Sequence, residues 1–294
     1  MTPNHDDDKS LPLSESVTAQ DIHDAAERIA DGIYRSPCPP SIPLSELTGC
    51  DVFCKLDLLQ RTGSFKERGA RNALLLLDEL QKKSGVVAAS EVHHDLGLAY
   101  HGKLLKIPVT VVMPRFAPLV KVATCRRLGA NVLLYGETFE EAWQRAVEIA
   151  SRDGLRLIHG FDDAEIIAGQ GTAAVEILED VPDADAIVVP TGGAGLLAGV
   201  AIAAKAQRPD IKIIAVEAAA AASFTASLAA GKPVNAPVQP TLADGLAVGR
   251  VGDRSFALAA PRVDRVLTVD EQALSLAVLR LLELEKTSCE GAGA

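Results

Sequence analysis

The sequence predicts a layered α/β protein whose sheets are parallel. Apolar runs of strand length alternate with segments whose apolar residues recur at helical spacing, which is typical of parallel sheets covered by helices. Hydrophobic residues make up 48% of the chain and aromatic residues only 4%, so small and branched aliphatic side chains would fill the layers. A length of 294 residues allows one or two domains.

The elements before residue 84 are predicted from short patterns. Residues 1–15 are polar and acidic, and we expect them to be disordered. The segment VTAQDIHDAAERIADGI predicts an amphipathic helix capped by Thr18 or Asp21. The proline-rich segment SPCPPSIPLSEL predicts extended chain, and DVFCKLD, residues 51–57, predicts a short strand.

Strands and helices alternate from residue 86 onward. The first series has strands at VVAAS, IPVTVVMP and ANVLLYG with helices between them, followed by the helix FEEAWQRAVEIASRDG and the strand LRLIHG. The second series has a helix at AGQGTAAVEILED, a strand at AIVVPTGG, a helix at LLAGVAIAAKAQRP, a strand at IKIIAVE and a last helix at VDEQALSLAVLRLLELEK. No linker separates the two series, so two lobes would share the chain discontinuously. Because parallel sheets bind ligands beyond the carboxyl ends of their strands, we expect the site in the loops after VVAAS, IVVP and IIAVE.

Charge and composition argue against several classes of partner. The formal net charge is −10 and the basic residues are scattered, so the basic surface of a nucleic-acid-binding protein is missing. No apolar run approaches the ~20 residues of a membrane helix, and the acidic start MTPNHDDDKS does not fit a secretory signal. The five cysteines are odd in number, and Cys50 and Cys54 have no second pair to complete a zinc site. We therefore predict a cytoplasmic protein with reduced thiols and without nucleic-acid or membrane partners.

The segment PTGGAGLLAGV, residues 190–200, predicts a glycine-rich turn between a strand and a helix. Such a turn directs backbone N–H groups and the positive end of a helix towards an anion, so phosphate is the expected ligand, and a plain tight turn is the alternative. The turn lacks the lysine of a Walker motif and the spacing of a dinucleotide fingerprint. It therefore favours a smaller phosphate ligand.

The segment GSFKERGARN, residues 63–72, places Lys66 between a turn and a helix start. A buried lysine with a lowered pKa can form a Schiff base with an aldehyde, and pyridoxal phosphate supplies both an aldehyde and a phosphate. A solvated surface lysine is the alternative interpretation, because most lysines are exposed.

Segments throughout the chain resemble one enzyme family. SFKERGA resembles the SFK-x-RGA segment of the serine/threonine dehydratase (threonine ammonia-lyase) and serine racemase family, which are fold-type II pyridoxal-phosphate enzymes. The segments LAYHGKLLKIPVTVVMPRFAPLVKVATCRRLGANV, IIAGQGTAAVEIL, VVPTGGAGLLAGVA, AVEAA, TLADGLAVG and EGAGA follow in the family's order. The resemblance implies a tryptophan synthase β-like fold with two three-layer αβα domains, and it suggests a homodimer. The large cofactor-binding domain would comprise residues 1–83 and 161–294, and the small domain residues 84–160.

The resemblance also implies roles for individual residues. Lys66 would hold pyridoxal 5'-phosphate and remove the proton from the substrate Cα, with Phe65 packed near the cofactor ring. Ala194 replaces a usual glycine of the turn, a change that the turn tolerates if its φ is negative. The further cofactor-binding residues would be His93, Gly192, Gly193, Ala194, Gly195, Leu196, Gly245 and Glu290.

The reaction that the resemblance implies is the deamination of a small hydroxy amino acid. L-threonine or L-serine would lose its β-hydroxyl and give a 2-oxo acid and ammonia. Serine racemisation is the near alternative. A β-replacement synthase is disfavoured, because such enzymes carry different residues around the lysine.

The loop SEVHHDLG, residues 90–97, departs from the SAGNHAQG pattern of the family. In the family this loop holds the substrate carboxylate, so the predicted substrate-binding residues are Ser90, Glu91, Val92 and His94. Val92 resists a positive φ, and Glu91 and Asp95 add negative charge where a carboxylate should bind. His93 replaces the asparagine that meets the cofactor's phenolic oxygen. Either the loop has drifted or been engineered and no longer binds ordinary substrates, or it selects a different substrate.

Two further features separate the chain from the family. The cation site of the family would fall in AVEAAAAASF, where Glu217 and Ala221 are kept but Ser223 replaces the second acid, so we predict no metal. Glu91, His93, His94 and Asp95 are also residue types that bind metal ions. Adjacent side chains of one loop rarely converge on one ion, so we predict no metal there either. The family continues beyond EGAGA with a segment that binds the pyridine nitrogen, so we expect a fragment or a degenerate relative. A non-catalytic protein that binds the cofactor without turnover therefore stays open as an alternative.

Overall fold

The computed structural model describes residues 16–89 and 93–294, and within them the strands form two separate parallel sheets. The first sheet has the order β3-β2-β1-β4 and the second the order β5-β6-β7. The strands are β1 (Val86–Ala89), β2 (Val109–Met113), β3 (Asn131–Leu134), β4 (Arg156–Leu157), β5 (Ala186–Pro190), β6 (Lys212–Ala218) and β7 (Arg265–Val269).

Twelve α-helices surround the sheets within the described residues. They are α1 (Ala19–Ile29), α2 (Ile42–Thr48), α3 (Lys66–Leu75), α4 (Glu79–Ser84), α5 (His93–Leu105), α6 (Leu119–Arg127), α7 (Phe139–Asp153), α8 (Ala164–Asp180), α9 (Gly195–Gln207), α10 (Ser223–Ala230), α11 (Asp253–Ala259) and α12 (Glu271–Leu284). Within the part of the chain that the structure describes, every helix is too short or too polar to traverse a lipid bilayer.

The first sheet separates two apolar cores. Val86 and Ala88 of β1 pack on one face, with residues of α5 and α6. Val87 and Ala89 pack on the other face, against α7. Successive side chains of a strand point to opposite faces, so a strand that is apolar at every position must be covered on both sides.

The second sheet is covered by α8 and α9, which lie unusually close to each other. A Cβ atom added to Gly199 of α9 would lie 2.6 Å from the backbone nitrogen of Gly171 in α8. The two glycines therefore allow the helix backbones to touch. In β5 exposed and buried residues alternate, which shows that α8 and α9 cover one face of this strand.

The sequence predictions for the N-terminal region are confirmed in part. Helix α1 begins after Thr18, whose side chain accepts a hydrogen bond from the backbone N–H of Asp21, as predicted. The predicted strand at 51–57 is wrong, because only an isolated bridge joins Pro40 to Phe53. Prolines lack the N–H group that a longer ladder requires. The predicted extended segment also ends early, since Ser41 caps helix α2. The prediction for residues 1–15 lies outside the described residues.

Candidate active site

Lys66 begins helix α3 directly after a tight turn. Gly63 has a φ of 84°, which a residue with a side chain rarely adopts. The hydroxyl of Ser64 accepts a hydrogen bond from the backbone N–H of Lys66 at 3.3 Å. The Lys66 amine lies 5.8 Å from the centre of the Phe65 ring. The turn and the helix start thus place this amine over the ring of the preceding phenylalanine.

The amine of Lys66 is enclosed by protein. It donates a hydrogen bond to the carbonyl oxygen of Gly160 at 3.4 Å. Burial lowers the pKa of Lys66 to about 8, although the carboxyl groups of Asp95 and Glu290 oppose this shift. A lysine in this environment is partly neutral at mildly alkaline pH, as a nucleophilic amine must be.

The glycine-rich turn at residues 192–196 follows β5 and includes the first two residues of α9, and it offers a set of backbone donors. Residues 192–195 are buried and Leu196 is half-buried. None of the five backbone N–H groups in this turn donates a hydrogen bond to another group within residues 16–89 and 93–294. Buried N–H groups nearly always have partners, so the turn has the properties of an anion-binding site.

Ala194 adopts a φ of 69°, so the condition that we set for this substitution is not met. The residue lies in the left-handed region at the N-cap of α9, where glycine costs nothing and alanine is strained. The usual glycine of the family is therefore explained by the backbone, and the alanine keeps the conformation at a cost in stability.

Gly160 and Phe161 connect the lysine with the glycine-rich turn. While Gly160 accepts the hydrogen bond of Lys66, the Phe161 ring lies so close to Gly193 that a Cβ atom there would be 2.4 Å from the ring. Phe161 also packs edge-on against His159 at 4.4 Å, and His159 packs against Trp143 at 4.8 Å. Sequence reasoning missed these residues. For His159, Gly160 and Phe161 the signal was their place directly after strand β4, where loops of a parallel sheet carry function, whereas Trp143 lies in helix α7 and had no such signal.

His93 and Glu290 form a contact between the start of α5 and the end of the chain. Their Nε2 and Oε2 atoms are 3.3 Å apart. Burial, followed by the charge of Lys66, lowers the pKa of His93 to about 4. A Cβ atom on Gly245 would lie 3.7 Å from Oε1 of Glu290. Three residues that the resemblance implies for cofactor binding therefore lie together.

His94 and Asp95 are fully buried in the first turn of α5. Both nitrogens of His94 and both carboxyl oxygens of Asp95 lack hydrogen-bond partners among the described residues. Burial lowers the pKa of His94 to about 3 and raises that of Asp95 well above its usual value. The predicted substrate-binding residues Ser90, Glu91 and Val92 lie outside the described residues.

Glu217 has a structural partner at the start of α10. Its carboxylate accepts hydrogen bonds from the backbone N–H groups of Phe224 at 2.7 Å and Thr225 at 2.9 Å, and from the Thr225 hydroxyl at 2.6 Å. Within the described ranges, no group of three or more histidine, cysteine or acidic side chains is arranged to hold a metal ion. The Glu217 oxygens are therefore used to cap a helix.

The chain is similar to known pyridoxal-phosphate enzymes in both sequence and structure. A family model described as pyridoxal-phosphate dependent enzyme matches residues 29–294. The L-threonine ammonia-lyase of Thermotoga maritima is 44% identical over 278 residues, which are 95% of this chain and 69% of that protein. The structure of maize serine racemase has a TM-score of 0.92 at 36% identity, covering 95% of this chain and 85% of that one. The processed form of threonine deaminase isoform 2 from Solanum lycopersicum has a TM-score of 0.88 at 35% identity, covering 96% of this chain and 84% of that one.

Proposed function

Because the chain belongs to the pyridoxal-phosphate-dependent enzyme family, we propose that it is an ammonia-lyase acting on small hydroxy amino acids. L-threonine or L-serine would give a 2-oxo acid and ammonia. The relative from Thermotoga maritima, an L-threonine ammonia-lyase, supports this assignment at 44% identity. The observation that carries the proposal is the buried Lys66 amine together with a turn whose backbone N–H groups have no hydrogen-bond partner in the described part of the chain.

The donors of the site fit pyridoxal phosphate. The five N–H groups of residues 192–196 suit its phosphate, since they are buried and have no partner within the described ranges. The Lys66 amine suits its aldehyde, and Phe65 offers an apolar surface beside that amine. His93, Gly245 and Glu290 complete the proposed cofactor site.

Lys66 is the proposed acid/base of the reaction. When bound, the cofactor withdraws electrons from the substrate Cα and so makes its proton removable. Because the pKa of the Lys66 amine is lowered to about 8, the amine can take up and return a proton at physiological pH. The Gly160 carbonyl orients this amine, while the Phe161 ring packs on Gly193 of the turn and is supported by the rings of His159 and Trp143.

The substrate carboxylate would bind at residues 90–94, where Ser90, Glu91, Val92 and His94 are the proposed contacts. We expected Asp95 to repel this carboxylate. Burial raises the pKa of Asp95, which favours the uncharged carboxyl group and so weakens the expected repulsion.

The domain division and the assembly also belong to this proposal. The first sheet lies within residues 84–160, and the second sheet lies within 161–294, which supports a small domain and a larger one that also includes residues 1–83. We further propose a homodimer, because the family resemblance suggests this state, and the predicted cytoplasmic location is part of the same proposal.

The proposal is tested by supplying pyridoxal phosphate and measuring 2-oxo acid and ammonia released from L-threonine and L-serine. We expect release by the parent and none by Lys66→Ala, with D-serine measured in parallel to detect racemisation. A parent that binds the cofactor but releases neither product would support the non-catalytic alternative. In that case the E91A/V92G/H93N variant, which restores the family pattern, locates the block in the loop if it gains activity.

A further inference from the structure

A row of buried polar contacts runs from the protein surface to the turn that carries Lys66. Asp31 accepts a hydrogen bond from the Arg71 guanidinium at 2.6 Å. Another guanidinium nitrogen of Arg71 lies 3.5 Å from Nδ1 of His101. Nε2 of His101 lies 3.2 Å from Oε2 of Glu67, and Oε1 of Glu67 accepts a hydrogen bond from the backbone N–H of Thr62.

These contacts are enclosed by the core. Glu67 and His101 are fully buried, and Arg71 is 6% exposed, whereas the Asp31 side chain is 81% exposed. The guanidinium of Arg71 packs on Gly32, where a Cβ atom would lie 2.0 Å from Cζ. Buried polar groups are costly when unpaired, so the loss of one member affects its neighbours.

The donors and acceptors are compatible along the whole row. A guanidinium only donates, so Nδ1 of His101 must accept from Arg71, which places the ring proton on Nε2. This proton faces the Glu67 carboxylate, and the other carboxylate oxygen faces the Thr62 N–H. Each contact therefore fixes the orientation of the next one.

The innermost residues of the row, Thr62 and Glu67, lie on either side of the reactive lysine in the sequence. Thr62 opens the turn that precedes Lys66, and Glu67 directly follows it. The Glu67 carboxylate consequently joins the two sides of the segment that presents the Lys66 amine, while His101 of α5 holds that carboxylate from behind. The turn includes Gly63, which adopts a positive φ. Because glycine has a wide choice of backbone conformations, the turn needs a further contact to keep this one.

We propose that Glu67 and His101 are positioning residues that set the direction of the Lys66 amine. The side-chain hydrogen bonds of Glu67 and His101 go to Thr62, to Arg71 and to each other, so both act through the backbone of the turn. This inference rests on the proposed function only in so far as Lys66 binds an aldehyde. An apolar pair would fill the same space, since buried ionic groups can be replaced by packed apolar residues with little loss of stability.

The test uses E67L, H101L and the double variant E67L/H101L, which keeps the core apolar and filled. Asn72→Leu is the matched control, because Asn72 is a buried polar residue of the same helix that contacts Arg28 and Glu165 rather than the turn. His101→Gln is the conservative variant, which keeps a donor and an acceptor.

Two quantities are measured below the unfolding temperature of each variant. The first is amide hydrogen exchange of residues 60–66 without cofactor, and the second is the rate at which added pyridoxal phosphate produces its bound absorbance band. We expect E67L and the double variant to exchange Thr62 faster and to bind the cofactor about tenfold more slowly or worse, since small misplacements of reacting groups have large effects. His101→Gln should stay near the parent, and Asn72→Leu should lose stability alone.

Unchanged exchange at Thr62 and unchanged cofactor binding in the double variant would overturn the positioning role. The two proposals fail in different ways. A parent that gives no absorbance band refutes the proposed function, whereas the exchange of Thr62 in the protein without cofactor still decides whether Glu67 holds the turn.

Discussion

The Lys66 amine combines burial with one hydrogen-bond partner among residues 16–89 and 93–294, the Gly160 carbonyl, and this combination determines its chemistry. Its pKa is lowered to about 8 from an ordinary value of 10.5, mainly by burial. The sequence predicted the identity of this lysine from SFKERGA but could not predict its environment, which depends on Gly160, 94 residues away along the chain.

We expect the rate of pyridoxal phosphate binding to rise with pH and to reach half its maximum near pH 8. Only the neutral amine attacks an aldehyde, so the rate follows the deprotonated fraction of Lys66. Stopped-flow absorbance between pH 6 and pH 11 measures this, with Lys66→Ala as the control. A midpoint near 10.5 would show that the amine is solvated.

Ala194→Gly should stabilise the protein by about 1 kcal/mol, because it removes the strain of an alanine in the left-handed region. Urea unfolding measures the change. Ala206→Gly is the control, since Ala206 is exposed in the same helix and should lose about 0.5–1 kcal/mol. Equal losses in both variants would mean that the turn does not strain Ala194. The sequence identified this residue as a replacement but contained no information about its φ.

At the scale of elements, periodicity predicted the long helices and the buried strands, and it failed for short elements. Helix α4 has six residues, and α2 has seven, so neither shows a full amphipathic repeat. The predicted strand at 51–57 has the right composition, but its neighbour contains prolines that cannot extend a ladder. Whether such a segment forms a strand depends on its pairing partner rather than on the strand preference of its own residues.

The contact between α8 and α9 is sensitive to one added methyl group. In Gly199→Ala, the new Cβ would lie 2.4 Å from the carbonyl oxygen of Ile167 and 2.6 Å from the Gly171 nitrogen. Because both obstacles are backbone atoms, we expect a loss of about 1–3 kcal/mol in the free energy of unfolding. Chemical unfolding tests this against Gly249→Ala, whose nearest atom would be 3.4 Å away. A neutral Gly199→Ala would show that the helices can separate freely.

At the scale of the molecule, Arg68 joins parts of the chain that are distant in sequence. Its guanidinium binds the carboxylates of Asp57 and Glu176 and the hydroxyl of Thr172. The arginine is fully buried. It thereby connects the segment before Lys66, helix α3 and helix α8.

Arg68→Met should cost about 3–5 kcal/mol, because it removes the buried cation of Asp57 and leaves Glu176 with Lys55 alone. Thermal and urea unfolding measure the loss, and Arg35→Met provides the comparison, since Arg35 also binds two carboxylates but is 52% exposed. We expect the Arg35 variant to lose about 1 kcal/mol or less. Similar small losses for both variants would refute the role of Arg68.

The fold class and the family were predicted from the sequence and are confirmed by the comparisons. The individual cofactor-binding roles stay predictions, because they depend on a bound molecule. The aromatic residues Trp143, His159 and Phe161 were missed, since Trp143 lies in helix α7 and only the fold packs it against His159, which follows strand β4.

The neighbouring residues Gly160 and Phe161 fix the distance between the two groups of the protein that would hold a ligand. Gly160 accepts a hydrogen bond from the lysine amine, and Phe161 packs on the glycine-rich turn, so a single peptide bond relates the two places where a ligand would be held. An aldehyde and a phosphate on one rigid ring have a fixed separation. We therefore expect the protein to discriminate between phosphorylated aldehydes by the length between their two ends rather than by the chemistry of either end.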